Sequence, residues 1–344
     1  MELADFDYDL PADAIAQRPA SPRDSARLLV DDGSGQTAHR TVADVPGLVR
    51  PGDVLVVNTT RVLPARLRLR KGTGGEVEVL LLEETATGAW EALVRPGRRV
   101  RPGTELVAGH DLTVVVDGDG PGDGTRLVNL VVPEGADVLA ALDRHGVVPL
   151  PPYITVPLDD PERYQTVFAD RPGSVAAPTA GLHLTPAVLD ACRSAGARVE
   201  AVELVVGMGT FRPMTAAKVE DHHMHAERYR VPLSTLDACR AARAGGGRVV
   251  AVGTTSVRAL ESAALSGDLE GRTELFIHRP WNWRLVDVLM TNFHLPRSSL
   301  LVLVDAFVGE RWRSLYAEAM AAGYRFLSFG DAMWLARRAG EEAR

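Results

Sequence analysis

The fold is decided by the stretch Arg248-Val249-Val250-Ala251-Val252-Gly253-Thr254-Thr255-Ser256-Val257-Arg258-Ala259-Leu260-Glu261. Its first five residues include an apolar run short enough for a buried strand, and its last residues have a helical pattern. A Gly/Thr/Ser turn joins the two. Such a turn leaves backbone N–H groups and hydroxyls free to bind a carboxylate, a phosphate or a ribose. An ordinary helix cap explains the same residues equally well, and no nucleotide-binding fingerprint accompanies them.

Strand and helix patterns alternate over the rest of the second half, and two further elements stand near the N-terminus. The helical patterns occupy residues 12–17 and 186–195, and the strand candidates occupy residues 54–57, 199–206, 275–277 and 300–304. Alternation of this kind predicts an α/β domain whose ligand sites lie at the carboxyl ends of the strands. We assign residues 1–65 and 150–344 to this large domain.

The segment between these two parts has a different pattern of apolar and polar residues. Short alternating stretches such as Glu76-Val77-Glu78-Val79-Leu80-Leu81 and Leu112-Thr113-Val114-Val115-Val116 are separated by glycine and proline turns. Regularly spaced short strands favour a small all-β barrel or sandwich. We therefore predict that residues 66–149 form an inserted β domain.

The charge of the chain limits its partners. A formal net charge of −7 and a pI near 5.8 argue against non-specific coating of nucleic acid, which needs a surplus of cations. Two local basic clusters nevertheless occur, and a solvated face is the ordinary explanation for such runs. The clusters contain Arg61, Arg66, Arg68, Arg70 and Lys71, and Arg95, Arg98, Arg99 and Arg101.

The termini and cysteines indicate the compartment. Residues 1–5 lack the basic and apolar regions of a leader, and no apolar run approaches the roughly 18 residues of a membrane span. We therefore expect a cytoplasmic protein. Cys192 and Cys239 stand in helix-like stretches without CxxC spacing, so we expect buried or idle thiols.

Four motifs join glycine or proline to hydroxyl, imidazole or guanidinium side chains directly after apolar runs, as strand-end loops of an enzyme do. They occupy residues 177–183, 207–211, 253–258 and 291–296. In the second of them, Gly207 and Gly209 bracket one residue, which allows close approach of a ligand or simply a tight turn.

Histidines supply the candidates for proton transfer. His183 and His294 stand beside proline and glycine turns, where an imidazole can exchange protons at neutral pH. A metal site at His223, His225 and Glu227 is less favoured, because zinc wants further ligands at defined spacing. A hydrogen-bonded polar cluster is the expectation there, with no metal.

These motifs resemble the S-adenosylmethionine:tRNA ribosyltransferase-isomerases of queuosine synthesis. Three further stretches carry the resemblance, and it runs in order from about residue 5 to about residue 335. They are Asn58-Thr59-Thr60-Arg61-Val62-Leu63-Pro64-Ala65-Arg66-Leu67, Tyr164-Gln165-Thr166-Val167-Phe168 and Tyr324-Arg325-Phe326-Leu327-Ser328-Phe329-Gly330-Asp331-Ala332-Met333.

The resemblance implies a fold and a reaction. The fold is a large α/β domain, a barrel-like sheet with surrounding helices, that carries a smaller inserted β-barrel. The reaction moves the ribosyl group of S-adenosylmethionine onto 7-aminomethyl-7-deazaguanine at the tRNA wobble position and isomerises it. Epoxyqueuosine-tRNA forms, adenine and methionine leave, and S-adenosylmethionine is a substrate, with no cofactor or metal required.

Candidate residues follow from the motifs and the chemistry together. His183 and His294 are expected to transfer protons, with Glu261 or Asp331 as orienting groups or alternate bases; Glu261 could instead be merely the ion-pair partner of Arg258. The expected substrate-binding residues are Arg61, Arg66, Thr179, Gly207, Gly209, Thr210, Gly253, Thr254, Thr255, Arg258 and Asn292.

The chain departs from the family pattern at several places. Val205 stands where a histidine is usual, residues 278–280 read His-Arg-Pro where Tyr-Pro-Gly is usual, and Asp305 stands where serine is common. A divergent paralogue that acts on a substrate other than tRNA is therefore an alternative, and a non-catalytic tRNA-binding module is another. The oligomeric state stays open.

Overall fold

A computed structural model of the chain describes residues 1–122, 124–207 and 214–337. The strands, in chain order, are β1 (Arg27–Asp31), β2 (Thr37–Thr41), β3 (Val54–Asn58), β4 (Thr60–Val62), β5 (Arg66–Lys71), β6 (Glu76–Glu84), β7 (Trp90–Arg95), β8 (Glu105–Ala108), β9 (Leu112–Asp119), β10 (Arg126–Val131), β11 (Gly146–Val147), β12 (Arg171–Ser174), β13 (Arg198–Leu204), β14 (Glu227–Arg230), β15 (Val249–Val252), β16 (Glu270–Thr273), β17 (Val288–Asn292) and β18 (Ala332–Ala336). The α-helices are α1 (Val138–His145), α2 (Pro186–Ser194), α3 (Leu233–Ala244), α4 (Thr254–Ser266), α5 (Ser299–Val308) and α6 (Trp312–Ala321).

In the described part of the chain, nine strands form one mixed sheet in the order β16-β14-β13-β3-β15-β17-β18-β1-β2. The four central strands β13, β3, β15 and β17 are parallel, so their carboxyl ends meet at one edge. All five residues of β3 are buried, because its two faces support separate cores: Val54 and Val56 on one side, Leu55 and Val57 on the other.

The expectation of a barrel-like sheet in the large domain is wrong. Among the described residues, β16 and β2 lie at opposite ends of the strand order and do not pair with each other. The sheet is therefore open. The α/β character holds, since strands β3, β13 and β15 are parallel and helices α2, α3 and α4 pack on this sheet.

The inserted segment contains a closed barrel. Strands β5, β6, β7, β10, β9 and β8 pair in that cyclic order, and the β5–β8 pairing completes the ring. Alternation places Leu112, Val114 and Val116 of β9 inside it, as the period-2 pattern predicts. The six strands lie within residues 66–149, the segment assigned to this domain.

Three local expectations are wrong. Residues 300–304 lie in helix α5, whose N-terminus is capped by the Ser298 hydroxyl accepting the N–H of Leu301 at 3.3 Å. A helix buried on nearly all sides is as uniformly apolar as a buried strand, so composition does not separate the two. Residues 275–277 form no strand, and near residues 12–17 only a 3-10 turn at Ala12–Ala14 is present.

Other expectations are confirmed. Helix α2 and strand β13 occupy the segments predicted for them, and Cys192 and Cys239 are buried free thiols. No helix among the described residues is long and apolar enough to cross a membrane.

Candidate active site

A cavity lies at the carboxyl edge of the parallel strands. Three of the four sequence motifs meet there, because β15 and β17 pair side by side and the Thr179 hydroxyl donates to Asn292 at the end of β17. Its lining consists of Tyr153, Ala177, Pro178, Thr179, Ala180, Val206, Gly253, Thr254, Thr255, Thr291, Asn292, Phe293, His294, Leu295, Ser298, Leu300, Leu327 and Ser328. The cavity therefore lies where the sequence predicts a ligand site, at the carboxyl ends of the strands.

The turn after β15 forms one wall. Gly253, the N-cap residue that precedes helix α4, has φ +87°, a conformation that glycine adopts without strain. The Thr255 hydroxyl is buried without a hydrogen-bond partner among the described residues. The helix N-terminus and this hydroxyl together present donors to an anionic group, such as a carboxylate.

His294 also lines the cavity. Its Nε2 lies 3.0 Å from the Thr291 hydroxyl, its backbone N–H donates to the Tyr316 hydroxyl at 3.0 Å, and the Tyr8 hydroxyl donates to its carbonyl. Burial lowers the pKa of His294 to about 3. The imidazole is therefore rigidly held and neutral, and its Nδ1 has no hydrogen-bond partner in the described part of the chain.

His183 stands behind the cavity wall, bound to Asn292. The Asn292 amide Nδ2 lies 2.9 Å from Nε2 of His183 and donates at 3.3 Å to the Asp331 carbonyl, while its Oδ1 accepts from the Thr179 hydroxyl at 3.0 Å. Burial lowers the pKa of His183 to about 4, although the Asp331 carboxylate opposes the shift. A neutral ring that accepts at Nε2 thus fixes the amide that lines the cavity.

These buried histidines predict acid sensitivity. Both are neutral in the folded protein, with pKa values of about 4 and about 3, but would ionise near pH ~6.5 once unfolded. Their contribution to stability is complete above pH ~6.5 and is lost as the pH falls toward the folded values. At pH 5 we expect a loss on the order of 2 kcal/mol for each, measured by urea unfolding. An equally steep decline in the His183→Gln/His294→Gln variant would contradict this assignment.

Neither predicted carboxylate base lines the cavity. The Asp331 carboxylate accepts from the backbone N–H of Arg27 at 2.9 Å and of Arg325 at 2.8 Å, and its exposure is 1%. The Glu261 carboxylate accepts three backbone N–H groups, those of Arg284, Leu285 and Val286, at 2.9–3.1 Å. Both side chains thus fix the backbone of the scaffold.

We expect Glu261→Gln to lower the free energy of unfolding by about 1–3 kcal/mol, since the amide places a donor against a buried backbone donor. Urea unfolding measures the change, and the exposed Glu274→Gln is the matched control, expected within about 0.5 kcal/mol of the parent. A loss of turnover at unchanged stability would restore the predicted catalytic role of Glu261.

Arg258 lies beneath the cavity wall. It forms a buried ion pair with Glu227, and its Nε donates to the Leu275 carbonyl at 3.0 Å. Glu227 also accepts the backbone N–H of Gly207 at 3.2 Å. The ion-pair partner of Arg258 is therefore Glu227 rather than Glu261. Through its bond to Gly207, the pair also supports the backbone beside Val206, which lines the cavity.

The remaining predicted residues are distributed elsewhere. Arg61 pairs with Glu162 at 2.6 Å and Arg66 with Glu78 at 3.0 Å, and neither lines the cavity. Gly209 and Thr210 lie outside the described residues. The described part of the histidine-rich segment contains no group of three potential metal ligands, and its Glu227 is committed to Arg258.

Sequence reasoning missed several lining residues. The hydroxyl groups of Tyr153 and Ser328 lie 2.7 Å apart at the cavity, and burial raises the pKa of Tyr153 to about 12. Leu327, beside them, has φ +68°, a conformation that costs about 1–3 kcal/mol outside glycine and clusters at functional sites. The stretch at residues 324–333 contains Leu327 and Ser328, but only Asp331 was chosen from it because of its titratable group.

Comparison with known proteins decides the family. The family model described as a queuosine biosynthesis protein matches residues 3–335. The chain belongs to this family. An S-adenosylmethionine:tRNA ribosyltransferase-isomerase of Gloeobacter violaceus is 51% identical over 340 residues, covering 97% of this chain and 96% of the relative.

Two further family members agree. A Nostoc protein with the same name is 47% identical over 360 residues, covering 96% of this chain and 91% of the relative. The crystal structure of an S-adenosylmethionine tRNA ribosyltransferase from Thermotoga maritima matches with a TM-score of 0.55 and 38% identity, covering 96% of this chain and 99% of the other.

Two residues at predicted departures from the family pattern, Arg279 and Asp305, contact each other. Arg279 donates to Asp305 through Nε at 2.6 Å and through Nη2 at 3.0 Å. Burial raises the pKa of Asp305, although Arg279 opposes the shift. The two side chains are thus physically coupled, and neither lines the cavity. Val205 also lies outside it, in a cleft whose other lining residues include Trp90 and Arg228.

Proposed function

We propose that the protein is an S-adenosylmethionine:tRNA ribosyltransferase-isomerase. It would transfer and isomerise the ribosyl group of S-adenosylmethionine onto 7-aminomethyl-7-deazaguanine at the wobble position of tRNA. The family match over residues 3–335, with relatives of that name covering more than nine-tenths of both chains, carries the proposal.

The reaction sets four requirements for the protein. The sulfonium acidifies the ribose C5′, so a base removes a proton there, and adenine needs an acid as it leaves. The exocyclic amine of the modified base is the nucleophile. The site must also hold the methionine carboxylate and keep water from reactive intermediates. Acid–base and nucleophilic steps suffice, so we propose that no metal or cofactor takes part; dialysis against a chelator should leave the rate unchanged.

We assign the methionine carboxylate to the start of helix α4. The N-terminal peptide groups of this 13-residue helix favour an anion, and the unpartnered hydroxyl of Thr255 adds a donor at the cavity wall. Gly253 keeps side-chain atoms away from the approach to these donors.

We assign proton transfer to His294. It lines the cavity, the Thr291 hydroxyl orients its ring, and its second ring nitrogen is unpaired in the described part of the chain. A carboxylate bound at α4 would increase the proton affinity of the imidazole, since an opposite charge favours the protonated form. His183 acts as a positioning residue, because its ring fixes Asn292.

A divergent paralogue with a substrate other than tRNA is the second candidate. Val205 supports it, because valine neither shuttles a proton nor forms a polar contact in the cleft. A non-catalytic tRNA-binding module is a third reading, but the buried and oriented imidazole at the cavity disfavours it.

The test is incubation with S-adenosylmethionine and tRNA carrying the aminomethyl-deazaguanine base, followed by mass analysis of digested nucleosides and assay of adenine. An epoxycyclopentanediol adduct together with released adenine supports the tRNA reaction. Adenine release with a free deazapurine but not with tRNA would favour the paralogue. Binding of tRNA without consumption of S-adenosylmethionine would favour the binding module.

A further inference from the structure

The outer surface of the β-barrel carries a concentration of cations, which we term the arginine face. It consists of Arg66, Arg68, Arg70, Lys71, Arg95, Arg98, Arg99 and Arg101. These residues include both basic clusters of the sequence except Arg61. The fold therefore joins two runs separated by more than twenty residues into one surface.

Strand pairing explains the juxtaposition. Glu78 of β6 stands in register with Arg68 of β5 on one side and with Arg95 of β7 on the other. The Lys71 ammonium donates to the Arg99 carbonyl and joins the turn after β7 to the end of β5. Alternate residues on β5 recur every ~6.8 Å and point outward, so the cations form an extended array.

Most of these cations have no carboxylate partner. Arg66 pairs with Glu78 and Arg70 with Glu76, but no ion pair joins Arg68 or Arg95 to any described residue. The same holds for the exposed arginines of the turn that follows β7, which are Arg98, Arg99 and Arg101. A third carboxylate, that of Glu105, lies near the end of β5, because the next residue, Leu106, pairs with Lys71. Six of the eight cations thus form no ion pair within the described part of the chain, although the net charge of the whole chain is −7.

The arginine face leads toward the candidate active site. Arg66 and Arg95 line a groove of about 270 Å³ together with the segment Pro149-Leu150-Pro151-Pro152. The next residue, Tyr153, lines the catalytic cavity. The segment at residues 149–153 therefore connects the groove beside the arginine face to the lining of the cavity.

We propose that the arginine face binds the phosphate backbone of the tRNA substrate outside the catalytic cavity; this rests on the proposed function. An extended array of cations, most of them without an ion pair among the described residues, fits a polyanion, because successive phosphates each take one cation, whereas a single small anion uses only one or two. Such contacts position the RNA without reading its sequence.

The test compares two charge reversals of equal size. One variant carries Arg95→Glu, Arg98→Glu and Arg99→Glu; the control carries Arg40→Glu, Arg50→Glu and Arg240→Glu, three exposed arginines of the large domain. The probe is fluorescent tRNA bearing the aminomethyl-deazaguanine base, titrated at several salt concentrations. Thermal unfolding of each variant verifies that it is folded.

We expect the first variant to bind tRNA at least ~10-fold more weakly than the control, and its slope of log affinity against log salt to flatten by about 2. If the wild-type protein binds tRNA and both variants lose affinity for it equally, the proposed role of the arginine face is overturned, while the proposed tRNA reaction stands. If wild-type protein does not bind tRNA, the tRNA reaction is overturned, and the docking surface with it.

Discussion

Replacement of His294 by glutamine is expected to lower kcat for adenine release by about 10²- to 10⁴-fold. Glutamine can retain a hydrogen bond to Thr291, but it neither accepts nor delivers a proton at the position of the ring. Steady-state kinetics with saturating S-adenosylmethionine and tRNA measures the change. The loss should fall on kcat rather than on KM, because the residue acts in the transition state.

Two matched variants separate the role of His294 from the roles of other histidines. The exposed His223→Gln should leave kcat within about twofold, and His183→Gln should lower it by about tenfold, because it disturbs Asn292 without removing the proton carrier. A loss in His183→Gln that exceeded the loss in His294→Gln would reverse the two roles. If the His294→Gln variant retained turnover, His294 would not be a catalytic residue.

Replacement of Arg258 by methionine is expected to lower the free energy of unfolding by about 3–5 kcal/mol. Glu227 is buried at 5% exposure, and the variant removes the cation paired with it while keeping an apolar stem of similar length. Urea unfolding measures the effect. Because Glu227 also holds Gly207, we expect turnover to fall together with stability.

A double-mutant cycle identifies the pair as the cause. The Arg258→Met/Glu227→Gln variant should recover at least ~1 kcal/mol relative to Arg258→Met, since it no longer buries the negative charge. The exposed Arg240→Met is the control, expected within about 0.5 kcal/mol of the parent. A raised KM for S-adenosylmethionine at unchanged stability would instead make Arg258 a substrate contact.

The sequence predicted which segments meet but not which of their side chains face the cavity. Residues 177–183, 253–258 and 291–296 were chosen because they follow apolar runs, and the parallel strands do bring three motifs to one edge. Glu261 and Asp331 were chosen for their titratable groups. Both instead accept backbone N–H groups, and those of Glu261 come from residues 23–25 positions away.

The local pattern of the chain by itself determined the strand-turn-helix unit at residues 248–261 and the alternating strands of the barrel. These elements follow from a short apolar run, a glycine with positive φ and a period of two, all of which act between near neighbours. Only the tertiary structure decided that Leu300 belongs to a helix, that Arg258 pairs with Glu227, and that the large sheet is open. Each of these depends on burial against segments distant in the chain, where packing and the pairing of buried polar groups outweigh local preference.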